Sequence, residues 1–379
     1  MVFAEKIKKP CVIFRTDASQ IIGTGHVMRC LTLASEFKKK GIQCHFVCKN
    51  HPGNLTSKIQ EQGFTVHLIP LSKKVHHTNS QYQDSYNPWL GSSSKEDAAE
   101  TLKILKLLKP LWVVLDHYSI GSQWERQIRP FTSKIMVLDD LANRTHDCDI
   151  LLDPNRNPDS DDYKPLTPSH CTLLLGSAYV LLREEFINMQ AQSLERRNCP
   201  ALNNILITMG GTDPNNNTGR ILKYLQESPS IKDLNISVVL GSQAPHLKTI
   251  QQQIKLLSCT TQLYIDTKNM ATIMAENDLA ISACSSTSWE CCYMGLPAIL
   301  LVTAENQKFL ADSLKKNSSL WIFNNSDYGI SKIPEIITEL KKNNDAFKKI
   351  NPQNQSLIDG RGKERIIDQI KGLNQKLKK

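Results

Sequence analysis

The sequence predicts an α/β protein of two domains, each built on a parallel sheet, and three observations predict it. Short, nearly continuous apolar runs alternate with amphipathic segments of helical period, the pattern of strands covered on both faces by helices. At 379 residues the chain exceeds one ordinary core. A charged stretch, Arg183-Glu184-Glu185 to Glu195-Arg196-Arg197-Asn198, separates two such series of strands. These place domains at 1–182 and 201–352, a linker at 183–200 and a C-terminal helix at 353–379.

The first strand is the run Cys11-Val12-Ile13-Phe14. Gly23-Thr24-Gly25-His26 follows as a turn, and Val27, Cys30, Leu31, Ala34 and Phe37 then recur at helical spacing. Gly25 and His26 therefore sit at the positive end of a helix, where unpaired N–H groups favour anions. Strands are expected at Phe46-Val47 and Val66–Ile69. The polar stretch Ser72 to Ser94 reads as a mobile surface insertion. A helix from Lys95 to Lys109 follows, with Ser94 and Asp97 spaced as a capping box. Trp112–Leu115, Ile135–Leu138 and Leu173–Leu175 complete the first series, and Ile205–Ile207, Val238–Leu240, Leu279–Ile281 and Ala298–Val302 form the second.

Ligands of open α/β sheets bind beyond the carboxyl ends of the strands. Those ends are polar here: Arg15-Thr16-Asp17, Asp116-His117-Tyr118, and Asp139-Asp140 followed by Arg144 and His146. A single aspartate after a strand ordinarily caps a turn, but three polar clusters on one edge, together with the glycine turn, point to a shared site. In the second domain Gly210 and Gly211 permit close approach of backbone to a ligand before the next helix. Ser282 to Glu290 crowds small hydroxyl residues between a strand and a helix, with Ser286, Thr287 and Ser288 as donors suited to a diphosphate. Glu290, one turn further, can accept from ribose hydroxyls, and the amides of Asn306 and Gln307 can close over the phosphates.

The formal charge is +9, from 46 Lys and Arg against 37 Asp and Glu, but the excess lies in Lys38-Lys39-Lys40, Lys341-Lys342, Lys348-Lys349 and the tail from Lys376. These are solvated helix ends rather than a nucleic-acid groove. No apolar run is long enough for a membrane span or signal peptide, so a cytoplasmic protein is expected. The 11 cysteines lie mostly in apolar runs without CxxC pairs and read as buried free thiols. Asp159-Ser160-Asp161 has the DxD pattern of metal-dependent glycosyltransferases, yet it falls in a Pro- and Asn-rich loop, and neither metal nor cofactor is expected.

In order along the chain, the Arg15–Ser19 and Gly23–Cys30 segments, Asp116-His117-Tyr118, Trp124-Glu125, Asp139–Ala142, Arg144, His146–Asp149, Leu182–Phe186, Met209–Asp213, Ser286–Glu290, Asn306-Gln307 and Asp359–Gly362 resemble the UDP-sugar hydrolases of the pseudaminic acid pathway, PseG, and their SpsG-like relatives. Ser285 departs from the family's usual glycine, and the Ser72 to Ser94 insertion is longer than its usual counterpart. The resemblance implies a glycosyltransferase B fold like that of MurG, two Rossmann-like domains facing a cleft that takes a UDP-sugar, with the C-terminal helix packing back on the first. It also implies the reaction, UDP-2,4-diacetamido-2,4,6-trideoxy-β-L-altropyranose plus water giving the free sugar and UDP.

On that resemblance the first domain holds the sugar and His26 is the general base. Histidines ordinarily titrate near pH ~6.5, so a neutral imidazole is at hand in the cell to take a proton from water, a contribution of roughly 100- to 10,000-fold. Asp17, Gly25, Arg29, Asp116, Tyr118 and Asp139 are expected to bind the sugar or orient His26. Gly210, Gly211, Ser286, Thr287, Ser288, Glu290 and Asn306 are expected to bind UDP. The expected partner is the small-molecule substrate alone, with no nucleic acid or membrane, and the expected state is a monomer. Two further readings remain open: an inverting glycosyltransferase in which His26 deprotonates a sugar or lipid hydroxyl, and a nucleotide-sugar sensor without chemistry.

Overall fold

A computed structural model of the chain describes residues 10–72, 86–198, 201–318, 320–343 and 356–376. They form two compact units. The first comprises the chain up to Asp153, Pro158–Leu175 and the C-terminal residues from Lys363, and the second comprises Pro154–Asn157 and Gly176–Gly362.

Seven strands build the first unit: β1 (Cys11–Thr16), β2 (Gln43–Lys49), β3 (Thr65–Ile69), β4 (Trp112–Asp116), β5 (Lys134–Leu138), β6 (Ile150–Asp153) and β7 (Thr172–Leu175). Their order is β3-β2-β1-β4-β5-β6-β7, every pair parallel, so the chain reverses its direction of travel between β1 and β4. Alternation along each strand sorts the side chains to two faces. On one face Ile13, Val47, Val113, Leu115 and Val137 pack with Trp124 and Ile128. On the other, Phe14 stacks on Phe46 at 5.0 Å and meets Phe37 edge-on at 6.2 Å. Phe37 comes from the helix Gly25–Lys39, whose Val27, Cys30, Leu31 and Ala34 are buried as their spacing predicts. The larger of these, Val27, Leu31 and Phe37, each contribute about 1.5–3 kcal/mol by leaving water.

The second unit repeats the theme with β8 (Asn204–Thr208), β9 (Asn235–Leu240), β10 (Thr260–Ile265), β11 (Leu279–Ala283), β12 (Ala298–Val302) and β13 (Trp321–Asn324), in the order β10-β9-β8-β11-β12-β13, again all parallel. One face of the sheet (Ile205, Ile207, Ile281, Leu301) packs with Ile333 and Ile337. The other (Leu206, Ala280, Leu300) packs with Met274, Trp289 and Leu310.

Two expectations need correcting. The stretch 183–200 is a helix over Glu184–Arg196, part of the second unit, rather than a linker. Glu184 and Glu185 start it and Arg196 ends it, matching the helix dipole, while Phe186 and Ser193 are buried. The capping box of the helix Ser94–Leu108 is formed by Ser93 and Glu96, one residue before the expected pair. Asp97 turns inward instead. It accepts from Arg15 Nε at 3.1 Å and Nη2 at 2.6 Å and from Trp124 Nε1 at 3.0 Å, with Lys49 Nζ at 3.4 Å. Of the expected insertion, residues 73–85 lie outside the described residues. Its flanks are held together: Lys49 Nζ donates to Pro70 O and Ser92 Oγ, and Ser72 N to Gly91 O.

Candidate active site

The carboxyl ends of β1 and β4, where the first sheet reverses, bring His26 to Asp116. Gly23, at φ +80°, makes the turn that only glycine makes cheaply, and the helix starts at Gly25 with no side chain capping it from Thr24. His26 thus stands in the first turn, largely buried, with Nδ1 2.5 Å from Asp116 Oδ1. Arg29 is three residues on and shares that face of the helix. Its Nε and Nη2 meet Asp116 at 2.5 and 2.7 Å, and its Nη1 meets both oxygens of Asp140 at 2.9 and 2.8 Å. Tyr118 donates to Asp140 Oδ2 at 2.9 Å and lies edge-on to the His26 ring at 4.6 Å. Trp89 lies 6.0 Å from His26 and stacks on Tyr118, with Tyr86 against both aromatics.

Burial alone would raise the Asp116 pKa, but the Arg29 guanidinium and His26 outweigh it and hold the carboxyl well below the usual range. An ionised carboxylate only accepts hydrogen bonds, so Nδ1 of His26 carries a proton directed at Asp116, which in the neutral form of the ring leaves Nε2 with its lone pair. The arrangement is a base whose tautomer is set by an aspartate.

Not every expected residue joins it. Asp17 is fully buried in a different network: Oδ2 lies 2.8 Å from Arg15 Nη1 and 3.4 Å from His117 Nε2, and Oδ1 accepts from Lys49 N at 2.7 Å. Asp139 closes its own turn, accepting from the N–H groups of Leu141 and Ala142 and from Tyr163 Oη, with Arg144 Nη1 at 2.6 Å. Burial would raise its pKa, yet Arg144, His146 and these donors bring it down to about 2. Neither aspartate bonds to His26. Its orienting carboxylate is Asp116, and the second aspartate near it is Asp140, which the sequence reading named in a strand-end cluster without choosing it for the site; Tyr86 and Trp89 it passed over. The doublet Asp139-Asp140 signalled the place; both residues follow the end of β5, where Asp139 closes its own turn and Asp140 meets Arg29.

In the second unit, the reversal of strand order lies between β8 and β11. After β8, Gly210 takes φ +93° with open space where a side chain would be, and Gly211 O accepts from Gly241 N at 2.8 Å. Asp213 caps the helix Asn217–Gln226 by accepting from Asn217 N and Thr218 N at 2.9 and 2.7 Å. After β11, Ser285 precedes the helix Ser286–Tyr293 without a side-chain cap bond. Ser286 is exposed and Thr287 half-buried, whereas Ser288 is fully buried. Glu290 Oε1 takes Arg183 Nε at 3.2 Å and Nη2 at 2.9 Å. Asn306 is half-buried in the turn Glu305–Gln307, and Gln307 Oε1 is taken by Thr303 N and Oγ1. Of the DxD triplet, Asp161 is exposed and pairs with Lys164 at 2.6 Å. Among the described residues no helix is long and apolar enough to cross a membrane.

Two parallel α/β units, each with small or polar residues where its strand order reverses, define the class as the two-domain glycosyltransferase B fold. Solved structures agree: Acinetobacter baumannii MurG superposes with a TM-score of 0.60 at 15% identity, covering 96% of this chain and 99% of that one. Staphylococcus aureus MnaA, solved with UDP, gives 0.63 at 12%, covering 96% and 97%. The glycosyltransferase family 28 C-terminal domain matches residues 204–370. The UDP-2,4-diacetamido-2,4,6-trideoxy-β-L-altropyranose hydrolase of Campylobacter jejuni is 30% identical over 306 residues, 80% of this chain and 96% of that protein. The chain belongs to that PseG family. It is also similar to the Bacillus subtilis spore coat polysaccharide biosynthesis protein SpsG, 29% identical over 35% of this chain and 38% of that one. An uncharacterised Methanocaldococcus jannaschii protein is 28% identical over 80% of this chain, which spans 58% of that longer relative.

Proposed function

We propose that the protein is a cytoplasmic enzyme that hydrolyses a UDP-linked 2,4-diacetamido-2,4,6-trideoxy sugar to the free sugar and UDP, without a metal. The observation that carries the reading is the His26–Asp116 pair, 2.5 Å apart at the reversal of strand order. Nε2 of His26 takes the proton of a water as its oxygen attacks the anomeric carbon, and the bond to the UDP oxygen breaks. Asp116 stabilises the imidazolium that forms. Arg29, Asp140 and Tyr118 hold that pair and meet the sugar's hydroxyl and acetamido groups. In the second unit the backbone at Gly210 and Gly211, the start of the helix at Ser286 and Thr287, and Asn306 take the diphosphate, and Glu290 accepts from the ribose. UDP is a good leaving group, so such donors suffice for its developing charge.

The family 28 domain match favours one rival, transfer of the sugar to an acceptor hydroxyl. Incubation with the UDP-sugar and no acceptor in oxygen-18 water separates the two. Hydrolysis predicts stoichiometric UDP release with label at the sugar's anomeric hydroxyl; UDP release only on adding an acceptor overturns it.

A further inference from the structure

Arg183 is not explained by the chemistry above, and its surroundings fix it on three sides. It stands just before the helix Glu184–Arg196, with its guanidinium 4.7 Å from the ring centre of buried Phe186 and Nη1 2.5 Å from Glu185 Oε1. Glu185 is anchored in turn, Oε2 accepting from Ala271 N at 3.3 Å. The remaining edge of the guanidinium, Nε and Nη2, is delivered to one oxygen, Oε1 of Glu290. The Glu290 side chain keeps 12% of its surface exposed, and Oε2 takes no hydrogen bond among the described residues.

We propose that Arg183 is a positioning residue for nucleotide recognition: it pins Oε1 of Glu290 so that Oε2 is presented, as an acceptor only, to vicinal hydroxyls of a ribose. The inference rests on the reading of Glu290 as the ribose acceptor and adds the group that makes it one. A vicinal diol donates two hydrogen bonds, and a carboxylate receives both only while ionised and held in one rotamer. A planar, preset guanidinium does both.

The electrostatics explain why a partner is needed. Burial pushes Glu290 up, Arg183 opposes that, and Glu185 adds to the rise. The titratable groups facing Glu290 are therefore Arg183 and Glu185 from the start of the neighbouring helix and the Cys291 thiol beside it. Only Arg183 is a cation. Without it the carboxyl takes up a proton as pH falls, and a protonated carboxyl is a poorer acceptor.

Isothermal titration with UDP and with 2′-deoxy-UDP, at pH 6 and pH 8.5, tests this on the full chain. Taking each variant as a ratio to wild type cancels the titration of the ligand's own phosphate. Arg183→Met is expected to weaken UDP roughly tenfold or more at pH 6, the scale of one charged hydrogen bond, to recover part of that at pH 8.5, and to lose the preference for UDP over the deoxy analogue. Arg183→Lys, which keeps the cation, should restore most of the affinity and flatten the pH difference. An Arg183→Met deficit equal at both pH values, or a lysine variant no better than methionine, overturns the proposal. Glu290→Gln separates the two readings: wild-type affinity in that variant sinks the ribose assignment itself, whereas a loss there with none in Arg183→Met sinks the positioning role alone. Matching thermal melts for the variants ensure that folding is not what is read.

Discussion

At the scale of single residues, His26 is useful only because Asp116 decides which of its nitrogens is basic. His26→Ala is expected to lower kcat by roughly 100- to 10,000-fold, the worth of a positioned general base, while UDP affinity changes little because the proposed nucleotide contacts lie on other residues. Single-turnover assays alongside titration of UDP check it, and near wild-type turnover would remove His26 from the mechanism. How much of this was legible follows from the same residues. Strand ends and the glycine turn marked His26, Asp116 and Tyr118 as parts of one site, and the family resemblance gave them their roles. Asp17 and Asp139, marked in the same way, do not join them, because a sequence marks a strand end but not the face each of its residues takes. Arg15 and Asp17, two apart, share a face and pair with each other at 2.8 Å. Asp139 is consumed by Arg144 and its turn, leaving Asp140 to Arg29.

At the scale of elements, the strands that escaped reading are of two kinds. β10 and β13 close the two edges of the second sheet, where half-exposed residues break the apolar run that betrays an interior strand. β6 is interior and buried, but only four residues long and joined directly to the polar Asp147-Cys148-Asp149. The helix Ser94–Leu108 carries the sharper lesson. Read as a cap, Asp97 would be worth about 1 kcal/mol. As the buried partner of Arg15 and Trp124, its removal strands a charge, and Asp97→Ala should cost about 3–5 kcal/mol. Glu96→Ala, which touches the real cap, should cost about 1 kcal/mol or less. Urea denaturation of the two variants decides between these, and equal small losses would mean that the Arg15–Asp97 pair contributes little.

At the scale of the whole molecule, acid should loosen the first unit. Asp17, Asp116 and Asp139 all have folded pKa values depressed below the unfolded value, against the pull of burial, by Arg15, Arg29 and Arg144. Stability from such groups is fully present above the unfolded value near pH ~3.9 and is lost as pH falls through the folded one, which for Asp139 is about 2. Urea midpoints should therefore fall from about pH 4 downward, and Asp139→Asn should shallow that slope; an unchanged slope would assign the acid sensitivity elsewhere. The last helix has a consequence in time rather than in energy. Gly362–Lys376 buries Ile366, Ile367 and Ile370 and groups with the first unit, although the whole second unit precedes it in the chain. During synthesis the ribosome delivers that helix only after the whole second unit, so the half made first has to wait, its apolar seat uncovered, until the other half has emerged. A chain stopped after Arg361 should hold its first unit in that waiting state, with a lowered melting temperature and increased binding of a hydrophobic dye. The order in which the molecule is made is thus the reverse of the order in which its two halves can be finished.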